Sequence, residues 1–283
     1  MDGNSIAMAE TRALWCLWLL SLSAAASQVM GASDSSSSSW SSIFQVVGKS
    51  WSSSGEENLE TGREMTLKNY CESWRLNVEI HNIRDFYAVP DECSNFVGKY
   101  MSSAQFKSDV HRTVDEASLF LTNSFSLAGD GLDAWVFDLD DTLLSTEPFY
   151  KQHHFGGDAA NRTSLEEWMA KSKAPAVTDM VDFFHKLRSR GIAVFVVSWR
   201  PEHLRSATVD NLIKEGYHGW TQLILRCEEE HHGSVQKYNS EQRKQLVGRG
   251  YRLWGIISSQ WSSITGTPKP RRAFKVPNPM YYL

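Results

Sequence analysis

Between Ser103 and Phe125 the apolar residues Phe106, Val110, Val114, Ala117 and Phe120 recur at three- and four-residue intervals. That spacing predicts a helix with one buried face. Gly129-Asp130-Gly131 breaks the pattern, and its texture then changes. Ala134-Trp135-Val136-Phe137 is apolar without interruption, as in a strand covered on both faces. "VTDMVDFFHKLRSRG" has the period of an amphipathic helix stopped by Gly191, and "IAVFVVS" follows as a second continuous apolar run. Pro201 is expected to open a helix, "EHLRSATVDNLIKEG", that ends at Gly216. A short strand "QLILR", a helix "SEQRKQLVGRG" and a strand "YRLWGII" complete the series. Strands alternating with helices predict an α/β fold: a doubly wound, mostly parallel sheet. A mainly helical region, 59–130, precedes or borders the first strand. A polar stretch at 145–175, with a helix around Leu165–Met169, interrupts the series as a small helical cap would.

Upstream of this domain the periodicity disappears. Residues 32–55 are dominated by Ser, with five in a row at Ser35–Ser39, and have little to bury. Before them, Arg12 is followed by "ALWCLWLLSLSAAA", an apolar run of signal-peptide length, with Ala24-Ala25-Ala26 as a small-residue cleavage site ahead of Ser27. The run is short for a bilayer span. The expected organisation is therefore a signal peptide at 1–26, a flexible leader at 27–58 and one domain at 59–283. Such a chain enters the secretory pathway, without a stable membrane anchor, and ends outside the cell or in the vacuole.

Composition adds limits. The chain has 283 residues, 41% hydrophobic and 22% charged, ordinary values for a globular protein. Its formal charge of −4 offers no basic surface for nucleic acid. Export changes the meaning of the cysteines. Cys16 leaves with the signal. Cys71 and Cys93 are candidates for a disulfide, worth about 3 kcal/mol in the chain-entropy model, which leaves Cys227 unpaired. Asn161-Arg162-Thr163 is a candidate glycosylation acceptor.

The candidate chemistry lies in "AWVFDLDDTLLST", residues 134–146. Asp138, Asp140 and Asp141, followed by Thr142, crowd the tip of an apolar strand, where like charges repel and desolvation is unfavourable. A helix N-terminus decorated with Asp is the plain structural explanation. The alternative is that something cationic or electrophilic sits there. In doubly wound sheets ligands bind beyond the carboxyl ends of the strands, and Asp138, Asp140, Ser198 and Ser258-Ser259 are all expected at such ends. A carboxylate so placed can attack phosphorus and carry an aspartyl-phosphate. A second one, two residues on, can protonate the departing alkoxide and then activate water. Mg²⁺ suits the carboxylate and carbonyl oxygens available.

Several segments carry a resemblance. "VFDLDDTLLS", "VVSWRPEHLRSATVDNLIKEGYHGWTQLILR", "GYRLWGIISSQWSSITG" and "FKVPNPMYYL" resemble the haloacid-dehalogenase superfamily and, within it, the plant acid phosphatases and vegetative storage proteins of class B type. "YCESWRLNVEIHNIRDFYAVPDEC" and "VGKYM" fit the same family, so the similarity covers essentially everything after Leu59. It implies a Rossmann-like core, Asp138 as nucleophile and metal ligand, and Asp140 as acid/base whose carbonyl also meets the metal. It further implies Thr142 as support for the loop and Ser198 as the hydroxyl that bonds a phosphate oxygen. The implied ligand is a small phosphate ester or inorganic phosphate, and members are often homodimers. Four positions depart from the family pattern. Trp199 stands where Gly is usual, Asn239 where a Lys is expected, and Ser259 and Ser263 where two acids are expected. Lys237, two residues upstream, is a candidate substitute for the missing cation. Phosphoryl transfer rests on positioning and charge stabilisation, so Mg²⁺ binding is expected to be weak or lost and turnover low. Three functions stay open: an acid phosphatase acting through Asp138, a non-catalytic storage or interaction protein, and a phosphate-binding module.

Overall fold

Strand β1 (Asp133–Phe137) is buried at every position, as its unbroken apolar character requires. It pairs in parallel with β2 (Ala193–Pro201) on one side and β4 (Arg252–Ser258) on the other. β3 (Gln222–Arg226) adds to β2, and β5 (Arg272–Lys275) adds to β4, giving a parallel sheet of order β3-β2-β1-β4-β5. The strand order reverses at β1, so the crevice beyond its carboxyl end is the expected ligand position of such a sheet. The computed structural model of the chain describes residues 66–123, 126–158, 161–227 and 233–283. The expected signal peptide, the leader and the start of the domain near Leu59 lie outside them.

Alternate residues of the strands serve the two faces. Trp135, Phe137, Val194 and Val196 meet helices α3 (Ala104–Asn123) and α6 (Met180–Ser189) through Val114, Ala117, Phe183 and Phe184. Ala134, Val136, Phe195 and Val197 pack with Tyr238 and Leu246 of helix α8 (Val235–Gly248). Gly255 of β4 is required here, because a Cβ would lie 2.4 Å from the Trp135 ring. Helix α7 (Arg205–Lys214) links β2 to β3, and a short helix α9 (Trp261–Ile264) follows β4.

Helices α1 (Leu67–Glu79) and α2 (Asp91–Met101) are joined by a Cys71–Cys93 disulfide, as expected from the sequence. Thr66 caps α1 by accepting from the Asn69 amide at 3.2 Å. The pair packs Trp74, Val97 and Tyr100 against Phe149, Tyr150 and Met280. Phe149 and Tyr150 belong to helix α4 (Glu147–Tyr150), which opens the polar stretch after β1; helix α5 (Arg162–Met169) follows in that stretch. Asn161 caps α5, accepting from the Thr163 amide at 2.9 Å, and is exposed.

Three sequence expectations need correction. Pro201 is the last residue of β2 and caps a 3-10 turn, Glu202–Leu204, so α7 begins only at Arg205. Helix α8 starts at Val235, because Ser234 caps it by accepting from the Lys237 amide. Lys237 is thereby fixed on the exposed first turn, while Asn239 is buried; Lys237 does not replace the missing cation. The edge strand β5 gave no periodic signal, since only Phe274 in it is buried.

Candidate active site

The chain leaves β1 through a tight turn, and its three aspartates part company there. The Leu143 and Leu144 amides both donate to the Leu139 carbonyl, at 2.9 and 3.1 Å. Asp141 takes a left-handed φ of +51°, a conformation Asp tolerates better than most residues. Its buried carboxylate accepts from the Thr146 amide at 2.8 Å, the Thr146 hydroxyl and the Tyr281 hydroxyl at 2.6 Å. Burial pushes its pKa up to about 6 against these bonds. Asp141 is a brace between the turn, α4 and the C-terminal segment.

Asp138 stays in line with β1, its amide donating to the Ile257 carbonyl at 3.0 Å. Oδ1 accepts from the Leu139 amide at 2.8 Å. Oδ2 accepts from two hydroxyls, Ser258 at 2.8 Å and Ser263 at 2.9 Å. Burial raises this carboxyl to about 6, with the neighbouring Asp140 charge adding to it and the hydrogen bonds opposing.

Asp140 is held from the side. Arg200 Nε lies 3.1 Å from each of its carboxylate oxygens, and Nη2 lies 2.6 Å from Oδ1. Arg200 is 2% exposed and spends its remaining arm on the Thr208 hydroxyl at 3.3 Å. The Ser198 hydroxyl oxygen accepts from the Arg200 amide at 3.1 Å. Ser198 lies inside β2, where pairing with β3 shifts register between Val197 and Pro201, and not at the strand's last residue. The Thr142 hydroxyl accepts from the Ser259 amide at 2.9 Å.

Two of the positions that depart from the family pattern, Ser259 and Ser263, each reach an oxygen of the acidic loop. The Ser259 hydroxyl donates to the Asp140 carbonyl at 2.9 Å. The Ser263 hydroxyl donates to Asp138 and accepts from Asn239 Nδ2 at 3.3 Å, which also donates to the Val235 carbonyl at 3.0 Å. The end of α9 that carries Ser263 and the segment after it are clamped by Arg243, which donates to the Ser263 and Thr265 carbonyls, both at 2.5 Å, and to the Pro268 carbonyl at 3.0 Å. Burial lowers the Arg243 pKa to about 10.

A cavity of about 310 Å³ opens beside Asp140 and Arg200, walled by Tyr150, Leu165, Met169, Trp199, Arg226 and Tyr281. Asp138 is not among its lining residues. Trp199 faces it with the Arg226 guanidinium 4.9 Å from its ring centre and Tyr238 at 5.4 Å. Sequence reasoning missed Arg200, Arg243 and Tyr281. A lone Arg just past an apolar run of sequence was the available signal for Arg200; the other two have none.

A doubly wound α/β domain with a carboxylate loop at its switch point is the class these features define. Within that class, the profile of the HAD superfamily, subfamily IIIB (Acid phosphatase), matches residues 56–283, and the chain belongs to that family. It is 37% identical over 213 residues to Acid phosphatase 1 of Solanum lycopersicum, covering 75% of this chain and 83% of the relative. It is also 37% identical to a Stem 31 kDa glycoprotein of Glycine max (80% and 88% covered) and 34% identical to Vegetative storage protein 2 of Arabidopsis thaliana (78% and 84%). Among solved structures, the class C acid phosphatase from Bacillus anthracis with tungstate bound shares the fold, with a TM-score of 0.57 and 20% identity over 67% of this chain and 85% of that one.

The family implies Mg²⁺, and the donor set tests that implication. Among the described residues no three His, Cys, Asp or Glu side chains form a group that could hold a metal ion. Both Asp138 oxygens and the Asp140 carbonyl already accept protein hydrogen bonds. The residues present do not fit a divalent cation.

Proposed function

We propose that this protein is a near-silent member of its family: phosphate esters are its ligand class, hydrolysis through an aspartyl-phosphate at Asp138 is feeble, and its role is non-catalytic, of the vegetative-storage kind. The supporting observation is the engagement of the Asp138 carboxylate. A nucleophile must present an ionised oxygen to phosphorus, and here both oxygens already accept from the protein, Oδ2 from two hydroxyls and Oδ1 from an amide. Asp140, which would protonate the leaving alkoxide, is tied across both oxygens by Arg200. Asn239 supplies no charge for the transferred group. Losing one oriented electrostatic partner typically lowers turnover by roughly 10²–10³, and here several are changed together.

The export reading fits the same picture. The Cys71–Cys93 bond is of the kind kept in oxidising compartments, and Asn161 is an exposed sequon. Relatives bear the names of stem glycoproteins and vegetative storage proteins. Among the described residues no helix is long and apolar enough to cross a membrane.

The test is hydrolysis of an aryl phosphate at acidic pH with millimolar Mg²⁺, beside the tomato relative. The part of the activity removed by Asp138→Asn is expected to lie at least about 10³-fold below that relative. An Asp138-dependent turnover within about tenfold of it would overturn the proposal.

A further inference from the structure

We infer that Ser258, Ser259, Ser263 and Asn239 are a protein-made replacement for the divalent cation implied by the family's fold, so that the acidic loop of this chain is complete and stable without any metal. An acid at position 259 would set one acceptor against another, the Asp140 carbonyl, and an acid at 263 would set a second carboxylate against Asp138. Such acceptor pairs need a cation between them. A serine hydroxyl is a donor. It turns each acceptor–acceptor pair into a direct hydrogen bond, at 2.9 Å in both cases. Asn239 fits the same change. Its amide donates to Ser263 at 3.3 Å, and Ser263 in turn donates a hydrogen bond to Asp138, so a neutral chain of donors stands where a cation would be superfluous. Ser258 supplies the second donor to the same oxygen at 2.8 Å. Ser258, Ser259, Ser263 and Asn239 are all buried, where an unmatched donor or acceptor is unfavourable. The three departures from the family pattern at 239, 259 and 263 are thus mutually consistent.

This inference concerns metal and stability, and it stands or falls separately from the rate of ester hydrolysis. The full chain is stripped with a chelator and its thermal unfolding followed with and without millimolar Mg²⁺. Tm is expected to stay within about 1 °C, whereas a native-state site filled at a hundred times its Kd would raise it by about 5–10 °C. In the Ser259→Asp/Ser263→Asp variant the acceptor pairs return, and Tm is expected to fall by several degrees in chelator and to recover with Mg²⁺. If that variant does not fold in chelator, Ser263→Ala decides, since it removes a donor without adding charge; its Tm should drop equally with and without Mg²⁺. A Mg²⁺-dependent rise in the Tm of the unmodified chain, or no loss on Ser263→Ala, overturns the inference.

Discussion

Arg200 and the serines handle neighbouring acids by opposite means. Asp140 keeps 16% of its side chain exposed and receives a full counter-charge from Arg200. Asp138 receives only neutral hydroxyls and an amide. Removing Arg200 therefore leaves one carboxylate unpaired beside another. Arg200→Met is expected to lower unfolding stability by about 3 kcal/mol, the scale for breaking a buried pair by deleting one partner. Arg200→Lys should recover only part of this, because a point-like ammonium cannot span both Asp140 oxygens and also reach Thr208. Chemical denaturation of the three proteins checks the order. Equal midpoints would mean that the pair adds nothing to the fold.

The elements that the sequence made legible are those whose burial is regular along the chain. β1 and β2 are continuous apolar runs because both of their faces are covered, and α3 and α6 keep a helical period because one face is. β5 was invisible because its Arg271-Arg272 neighbourhood is exposed and its place is fixed by backbone pairing to β4, from Gly255↔Arg272 to Ser258↔Lys275. The start of α8 was misplaced by the polar residues of its first turn, which a cap at Ser234 makes helical. Asp138, Asp140 and Thr142 were legible as a candidate site because they fall within one short stretch of sequence. The Asp141–Tyr281 bond, between residues 140 positions apart, was not. α1 and α2 hold together by a small satellite cluster and one covalent link. Cys71→Ser with Cys93→Ser is expected to remove about 3 kcal/mol. Amides of α1 and α2 should then exchange hydrogen faster while those of β1 and β4 stay protected. Uniform loss of protection across the sheet would show that the two helices are not a separate satellite.

The whole molecule carries a pH dependence set by two desolvated acids. Asp138 and Asp141 are raised to about 6 by burial, above the ordinary carboxylate value of about 3.9 that the unfolded chain retains. For such groups the folded state binds the proton more tightly. Their stabilisation is fullest below the unfolded pKa and is lost as pH rises through about 6. Asp133 has the opposite sign: hydrogen bonds from the Arg252 guanidinium depress it, so its contribution is lost only as pH falls below the usual carboxylate range. Two histidines titrate nearer neutrality with opposite signs. His81 is lowered by burial and loses stability as pH falls, whereas His111 is raised by its Asp179 hydrogen bond and gains. The acids therefore set the slope between pH 7 and pH 5, where the pair adds about 2–3 kcal/mol on acidification, or about 5–10 °C in Tm. Differential scanning calorimetry from pH 7.5 to pH 4.5 should show Tm rising towards the acid side, and Asp138→Asn should remove about half of the slope. A Tm that falls between pH 7 and pH 5, with the same slope in the variant, would mean that Asp138 is held ionised in the folded chain.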